Sequence, residues 1–204
     1  MIITKNSRFR SALKLSLLGG LSSLALLASP LSYAESTNTE QTTWFGEVAD
    51  GQWLAGLKLG AAEPSTPGYS TAQTTTLVVG YQFSRPVGDS GSSSIELEFT
   101  TSNDADIEGG VGGDWDMHST GLYFNYRTPG TVYFKGKLGI LDSNVHTRFP
   151  TRDFQSHDAN MAFGLGLGVR MGSPETPVNI EAEWISSAGD HDINHFSISG
   201  LMEF

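Results

Sequence analysis

Apolar and polar side chains alternate in eight separate segments between residue 52 and the C-terminus. A period of two places successive side chains on opposite faces of a β-strand. No segment after residue 34 shows the period of an amphipathic helix. The pattern therefore predicts an all-β chain with eight antiparallel strands: 52–61, 72–84, 93–101, 117–128, 131–141, 159–171, 178–186 and 192–204.

The connections between these segments differ in length. Three are short and rich in proline or glycine: 85–90, 129–130 and 172–176. The four others are taken as the longer loops: 62–71, 102–116, 142–158 and 187–191. The last of these four is short, so the pattern is good but not perfect. Short turns at one end and long loops at the other are typical of an up-and-down transmembrane β-barrel.

The two faces of the predicted strands have opposite character. The last strand carries Phe196, Ile198, Met202 and Phe204 on one face and small or polar residues on the other. The other strands repeat this division, and aromatic residues lie near the strand ends. Because a membrane-spanning sheet must pair all its backbone groups, we expect a closed barrel with its apolar face in lipid. Eight strands leave an interior just wide enough for side chains to fill.

The polar face carries charges of both signs in equal number. It holds five cations and five anions, although the whole chain has a net charge of −10. Unpaired charge in a confined interior is costly, so this balance predicts an ion-paired lumen. The predicted lumen charge network consists of Lys58, Glu96, Glu98, Arg127, Lys135, Lys137, Arg170, Glu181, Glu183 and Glu203.

The first 34 residues have the composition of a secretory signal peptide. A basic region precedes an apolar stretch at 15–28, and Ser32 and Ala34 suit signal peptidase. The apolar stretch is shorter than the roughly 20 residues that a transmembrane helix needs. The predicted organisation is therefore a signal peptide at 1–34, a loosely ordered periplasmic lead at 35–51 and a barrel domain at 52–204.

Charge and cysteine content exclude several classes of function. Removal of residues 1–34 leaves 8 basic and 22 acidic residues, a net charge of −14. Such a chain repels phosphate backbones, so nucleic acid is excluded as a partner. The chain has no cysteine, which excludes disulfides and thiolate metal sites.

Three segments resemble the small eight-stranded outer-membrane β-barrel family of Gram-negative bacteria, of the OmpA-transmembrane-domain, OmpX and opacity-protein type. They are 132–140, 163–170 and the end of the chain, 198–204. The resemblance implies an outer-membrane protein with both termini in the periplasm and a salt-bridged lumen. The terminal Phe204 resembles the signal that the barrel-insertion machinery reads. The implied function is a structural, envelope or surface-interaction role carried by extracellular loops, without catalysis, in a monomer that contacts outer-membrane lipid and lipopolysaccharide.

A catalytic alternative comes from His195 and Ser197, which share one face of the last strand, with Glu183 roughly opposite. Serine, histidine and a carboxylate can supply a nucleophile, a base and an orienting acid. The set resembles that of outer-membrane lipid A deacylases, which use His-x-Ser and a glutamate. In that family the triad faces the membrane, whereas these residues are predicted to face the lumen. We therefore expect polar packing and no catalysis.

Two long loops carry candidate ligands. Asp104, Asp106 and Glu108 match the opening of a calcium-binding loop, and Asp114 and Asp116 follow. Trp115 stands where the closing glutamate belongs, so no cofactor is expected and Ca²⁺ is the alternative. In the next loop, Arg148 and Arg152 could pair with lipopolysaccharide phosphates.

Two further alternatives concern the lumen. A narrow pore would need a continuous water path past ten charged side chains. A periplasmic lipocalin-like carrier is also an eight-stranded barrel, and the tripeptide at 51–53 matches the Gly-x-Trp that opens such barrels. A carrier of that kind needs an apolar lumen and a polar outer face, which is the reverse of the predicted arrangement.

Overall fold

A computed structural model describes residues 51–83, 91–108, 112–173, 176–188 and 192–204. The predicted signal peptide, residues 35–50 and the predicted turn 85–90 lie outside the described residues. The strands are β1 (Gln52–Pro64), β2 (Ala72–Gln82), β3 (Ser92–Ser102), β4 (Ala105–Asp106), β5 (Asp114–Arg127), β6 (Val132–Phe149), β7 (Arg152–Ser173), β8 (Thr176–Ala188) and β9 (Ile193–Glu203).

The eight long strands form one closed ring in which every neighbouring pair is antiparallel. Strand β1 pairs with both β2 and β9, and β3 pairs with β5, which completes the ring. Closure leaves no exposed edge along the wall of the barrel, so the backbone groups of adjacent strands satisfy one another. The two-residue strand β4 pairs with the first residues of β5. The predicted fold class, an eight-stranded antiparallel up-and-down barrel, is confirmed.

The two ends of the barrel differ. One end, here called the terminal end, holds the beginning of β1 and the C-terminus, where Trp53 and Phe204 exchange two backbone hydrogen bonds of 3.0 and 2.9 Å. The tight turns that follow β5 and β7 lie at this end, and Gly130 and Gly172 adopt positive φ angles of 115° and 93° there. The opposite end, here called the distal end, holds the connections β1–β2, β3–β5, β6–β7 and β8–β9.

The outer wall carries an apolar belt. Each long strand contributes residues to it, and in each case at least 37% of the residue is exposed, as for Leu57, Leu77, Ile95, Leu122, Leu138, Leu165, Ile180 and Ile198. Aromatic rings lie towards both borders: Trp53 packs on Tyr81 with 5.3 Å between ring centroids, and Phe163 packs on Trp184 with 5.5 Å. The described residues contain no helix long and apolar enough to cross a membrane.

The prediction of a loop at 142–158 is wrong. Strands β6 and β7 continue as a hairpin, with pairs that run from Asp142–Ala159 to Phe149–Arg152. Strand β5 likewise begins at Asp114, within the predicted loop 102–116. The reason is that this part of the hairpin extends beyond the apolar belt. The outward side chains of β6 are polar here, and the inward side chains include only scattered apolar residues such as Val145, which packs near Trp115. The segment therefore lacks the regular alternation on which the prediction was based.

Candidate functional site

The barrel interior contains a central cluster of eight charged side chains. Four cations and four anions balance, and no member is more than 6% exposed. They come from five different strands, because each strand directs every second side chain inward. The members are Lys58, Glu96, Glu98, Arg127, Lys135, Lys137, Glu181 and Glu183.

One half of the central cluster is built around two cations. The Lys135 ammonium lies 3.0 Å from Glu96 Oε2 and 2.8 Å from Glu181 Oε2, and it also contacts Glu183. The Arg127 guanidinium donates through Nε to Glu181 at 2.7 Å and through Nη2 to Glu96 at 2.6 Å. Each of these glutamates is thus shared by two cations, which compensates the loss of hydration on both sides.

The other half continues the same network. Lys58 Nζ lies 2.7 Å from Glu98 Oε1 and also contacts Glu183. Lys137 contacts Glu98, lies 3.5 Å from Glu183 Oε2 and sits 4.1 Å from the centre of the Tyr123 ring. Because Glu183 also contacts a cation of the first half, the eight charges form one connected network.

Tyr133 belongs to this network, although the sequence suggested no role for it. Its hydroxyl donates to Glu181 Oε1 at 2.7 Å. Its ring lies over Gly168, the residue opposite it on β7, where a Cβ atom would clash with the ring. The sequence feature that could have indicated this role is an inward-facing tyrosine on one strand opposite an inward-facing glycine on the next. Gly121 makes the same kind of room for the ring of Tyr123.

Arg170 and Glu203 form a separate pair near the terminal end. Arg170 Nη2 lies 3.3 Å from Glu203 Oε1. Asn179 joins them, donating to Glu203 at 2.5 Å and accepting from Arg170 Nε at 3.2 Å. The Arg170 side chain remains 20% exposed, unlike the cations of the central cluster. All ten charges proposed for the lumen thus lie on the inner face, in two groups.

The three candidate catalytic residues point inward but are not linked as a relay. His195 Nε2 lies 2.6 Å from Thr74 Oγ1. Glu183 is engaged by the lysines of the central cluster. Ser197 Oγ is buried and has no hydrogen-bond partner among the described residues. Each residue therefore has surroundings of its own, although register pairs Glu183 with Ser197.

A buried tryptophan packs inside the distal end of the barrel. Trp115 is fully buried, and its indole Nε1 donates to the carbonyl oxygen of Ser70 at 3.0 Å. It packs in an apolar cluster with Ala62, Ala72, Met117 and Ile193. The alternation pattern predicted a loop, 102–116, at this tryptophan. The sequence feature that could have indicated its position is its spacing of two residues from Met117, which places both side chains on the inner face of β5.

At the rim of the distal end, three of the five predicted calcium ligands surround Arg148. Its guanidinium donates to Asp114 at 2.5 Å and to Asp116 at 2.6 Å, and it also contacts Asp104. The hydrogen bond that Arg148 donates to Asp114 is the largest of several effects that raise the pKa of Arg148 above its usual value. The part of the chain that the structure describes shows no group of three histidine or acidic side chains placed to hold a metal ion.

The other rim candidates lie apart from this arginine cluster. Asp106 accepts a hydrogen bond from Ser70 N through its backbone oxygen, at 3.0 Å. Glu108 accepts a long one, 3.5 Å, from Ser70 Oγ. Arg152 lies at the β6–β7 turn, where its guanidinium stacks 4.6 Å from the centre of the Phe154 ring. Binding of Ca²⁺ or of lipopolysaccharide at this rim stays a prediction.

Comparison with known proteins gives distant matches only. No protein-family model matches the chain, and no curated protein matches its sequence. Among solved structures, the attachment invasion locus protein Ail of Yersinia pestis is 16% identical with a TM-score of 0.47, over 76% of this chain and 97% of that one. Neisserial surface protein A is 12% identical with a TM-score of 0.46, over 76% and 97%. The N-terminal β-barrel domain of Pseudomonas aeruginosa OprF is 12% identical with a TM-score of 0.44, over 76% and 100%.

These values are too low to transfer an activity from any of those proteins. The structure itself has three distinctive features: a closed barrel with an apolar outer wall, a central cluster of eight ion-paired charges, and an apolar cluster around Trp115 at the distal end.

Proposed function

We propose that the chain is an integral outer-membrane protein whose barrel is a rigid, non-catalytic scaffold for structural or surface-interaction roles at its distal end. The observation that carries this proposal is the inversion of polarity across the wall. Leu165 on the outside is 64% exposed, whereas Lys58 on the inside is 1% exposed. A soluble protein hides large apolar patches and exposes charge, and only a lipid environment reverses that preference.

The direction of insertion follows from the predicted export signal and from the two ends. An exported chain inserted from the periplasm keeps its short turns on the periplasmic side and its longer connections outside. The terminal end would then be periplasmic, and Phe204, which directly follows β9, would serve as the insertion signal. The distal end would be extracellular, with Arg148 and Arg152 near lipopolysaccharide phosphates.

The filled interior favours a scaffold over a carrier or a pore. A lipocalin-like carrier needs an apolar cavity, but the centre of this barrel is occupied by the central cluster. A pore needs a continuous path for water, but the charges of the central cluster are buried and paired with one another, and the apolar cluster around Trp115 lies on their distal side.

The first test is cell fractionation combined with gel mobility before and after boiling. A folded barrel keeps its structure in detergent until it is boiled, because its closed backbone ladder has no free end to unravel. We expect the protein in the outer-membrane fraction with a mobility that changes on boiling. Recovery in the soluble periplasm, with no change of mobility, would refute the proposal and favour the carrier.

A second test concerns conduction. In planar lipid bilayers, the inserted wild-type protein should produce no discrete conductance steps, because the charges of the central cluster are held by one another and leave no water path. Steady conductance steps that scale with the amount of inserted protein would show that the lumen is a pore.

A third test addresses the enzymatic alternative. Cells that express the protein should retain all lipid A acyl chains, because His195, Ser197 and Glu183 lie inside the barrel and form no relay. The mass spectrum of lipid A should be the same for wild type, for Ser197→Ala and for cells without the protein. Loss of an acyl chain with the wild type, but not with Ser197→Ala, would establish a hydrolase.

A further inference from the structure

Strand β7 is much longer than its neighbour β8 at the distal end. The last pair between them joins Met161 to Ala188, whereas β7 continues back to Arg152. Residues 152–160 therefore pair with β6 on one side only, as far as the described residues show. At about 3.3 Å per residue, this free edge is about 30 Å long.

A free edge presents unpaired backbone N–H and C=O groups to any strand that can align with it. Proteins usually protect such an edge with lysine, proline or a bulge. Residues 152–160 contain neither lysine nor proline, and their ladder with β6 runs without interruption. The free edge is therefore suited to adding a strand.

The charges along the free edge match those of a second copy. Within the described residues, Arg152, Asp153 and Asp158 form no ion pair. Antiparallel self-pairing centred on Gln155 puts Arg152 opposite Asp158. It also puts Asp153 opposite His157, whose Nε2 lies 2.9 Å from Asp142 Oδ1 within its own chain. A shift by one residue in one direction would put Asp153 opposite Asp158, where like charges repel. A shift in the other direction would put Arg152 opposite His157, so that Arg152 would lose its acidic partner. The sequence of the edge thus favours one register of self-pairing.

We propose that the free edge binds the same edge of a second copy of this chain, antiparallel and centred on Gln155. The orientation of the contact rests on the proposed function. Two barrels in one membrane both have their distal ends on the same side. Their β7 strands, each tilted by about 40° from the membrane normal, therefore cannot lie antiparallel to each other. The pairing therefore joins the distal ends of barrels in two facing membranes, while each barrel is a monomer within its own membrane.

The test uses phosphatidylcholine vesicles that carry the full mature chain, with clustering followed by light scattering. Wild-type vesicles should cluster. In the proposed register, position 152 of one copy lies opposite position 158 of the other. With Arg152→Glu both positions are negative, and with Asp158→Arg both are positive. Each variant alone should self-associate at least about tenfold more weakly, because two attractive pairs become repulsive. Vesicles with one variant mixed with vesicles of the other should cluster again, since their charges are complementary.

A crosslink tests the register independently. The chain has no cysteine, so Gln155→Cys introduces a single thiol that would face its own copy across the two-fold axis. Directly opposed residues on paired strands lie close enough for a disulfide to form. Mild oxidation of clustered vesicles should give a covalent dimer with Gln155→Cys. The matched control is Ala159→Cys: residue 159 would lie opposite residue 151 of the other copy, so its thiol has no thiol beside it and little dimer should form.

The failure of this inference is distinguishable from failure of the proposed function. Vesicle flotation and the mobility change on boiling report whether each variant is inserted and folded. Absence of insertion would refute the proposed function. Inserted wild type that does not cluster, single variants that cluster like wild type, or a mixture that does not recover would each refute the edge pairing alone.

Discussion

Replacing Lys135 by methionine is expected to lower the free energy of unfolding by about 3–5 kcal/mol, as for other buried ion pairs that lose one partner. Lys135 contacts Glu96, Glu181 and Glu183, and it is only 2% exposed. Without it, the central cluster has three cations for four carboxylates, in a place where water cannot replace the lost charge. The cost arises mainly from the uncompensated anion, since methionine retains much of the apolar stem.

Two matched variants separate charge balance from packing. Lys135→Met combined with Glu181→Gln restores the balance and should recover part of the loss. Arg170→Met removes a cation that is 20% exposed and should cost clearly less than Lys135→Met. The measurement is urea unfolding in lipid vesicles, followed by tryptophan fluorescence and by mobility on a gel. Equal stability of Lys135→Met and wild type would mean that the central cluster contributes nothing to holding the barrel together.

Replacing Leu165 by arginine is expected to destabilise the inserted barrel by about 2–4 kcal/mol, the cost of an arginine near the bilayer midplane. Leu165 is the third of six alternate residues in the outward row of β7, from Met161 to Met171, so it lies close to the middle of the apolar belt. The guanidinium would have to reach an interface or draw water into the lipid. Folding into vesicles should therefore be weaker and slower than for wild type.

Ala159→Arg provides the matched control for the lipid face. Ala159 lies on the same strand and the same outward face, but beyond the distal border of the belt, where the cost of arginine falls to about 0–1 kcal/mol. The comparison of the two variants in vesicle-folding titrations tests the placement of the belt in lipid. If both variants fold as well as wild type, the outer wall is in contact with water and the soluble carrier becomes the better interpretation.

The local alternation of side chains determined the strands and their two faces. Successive residues of a strand point to opposite sides whatever the rest of the molecule does. For this reason the sequence alone indicated eight strands, an apolar outer row that includes Leu165, and the inward direction of all ten lumen charges. The same reasoning indicated that His195 and Ser197 share a face.

Only the tertiary structure decided which charged side chains form ion pairs with each other. Lys58 and Glu183 are 125 positions apart and meet because the ring closes with a particular stagger between its strands. No local pattern encodes that stagger. The same holds at the distal end, where Arg148 of β6 binds Asp114 and Asp116 of β5 and Asp104 of the β3–β5 connection. Trp115, at the start of β5, points into the barrel there. Beyond the belt the outward side chains of β6 and β7 are mostly polar, so apolar and polar residues no longer alternate regularly, and only the backbone pairing revealed how far β7 extends.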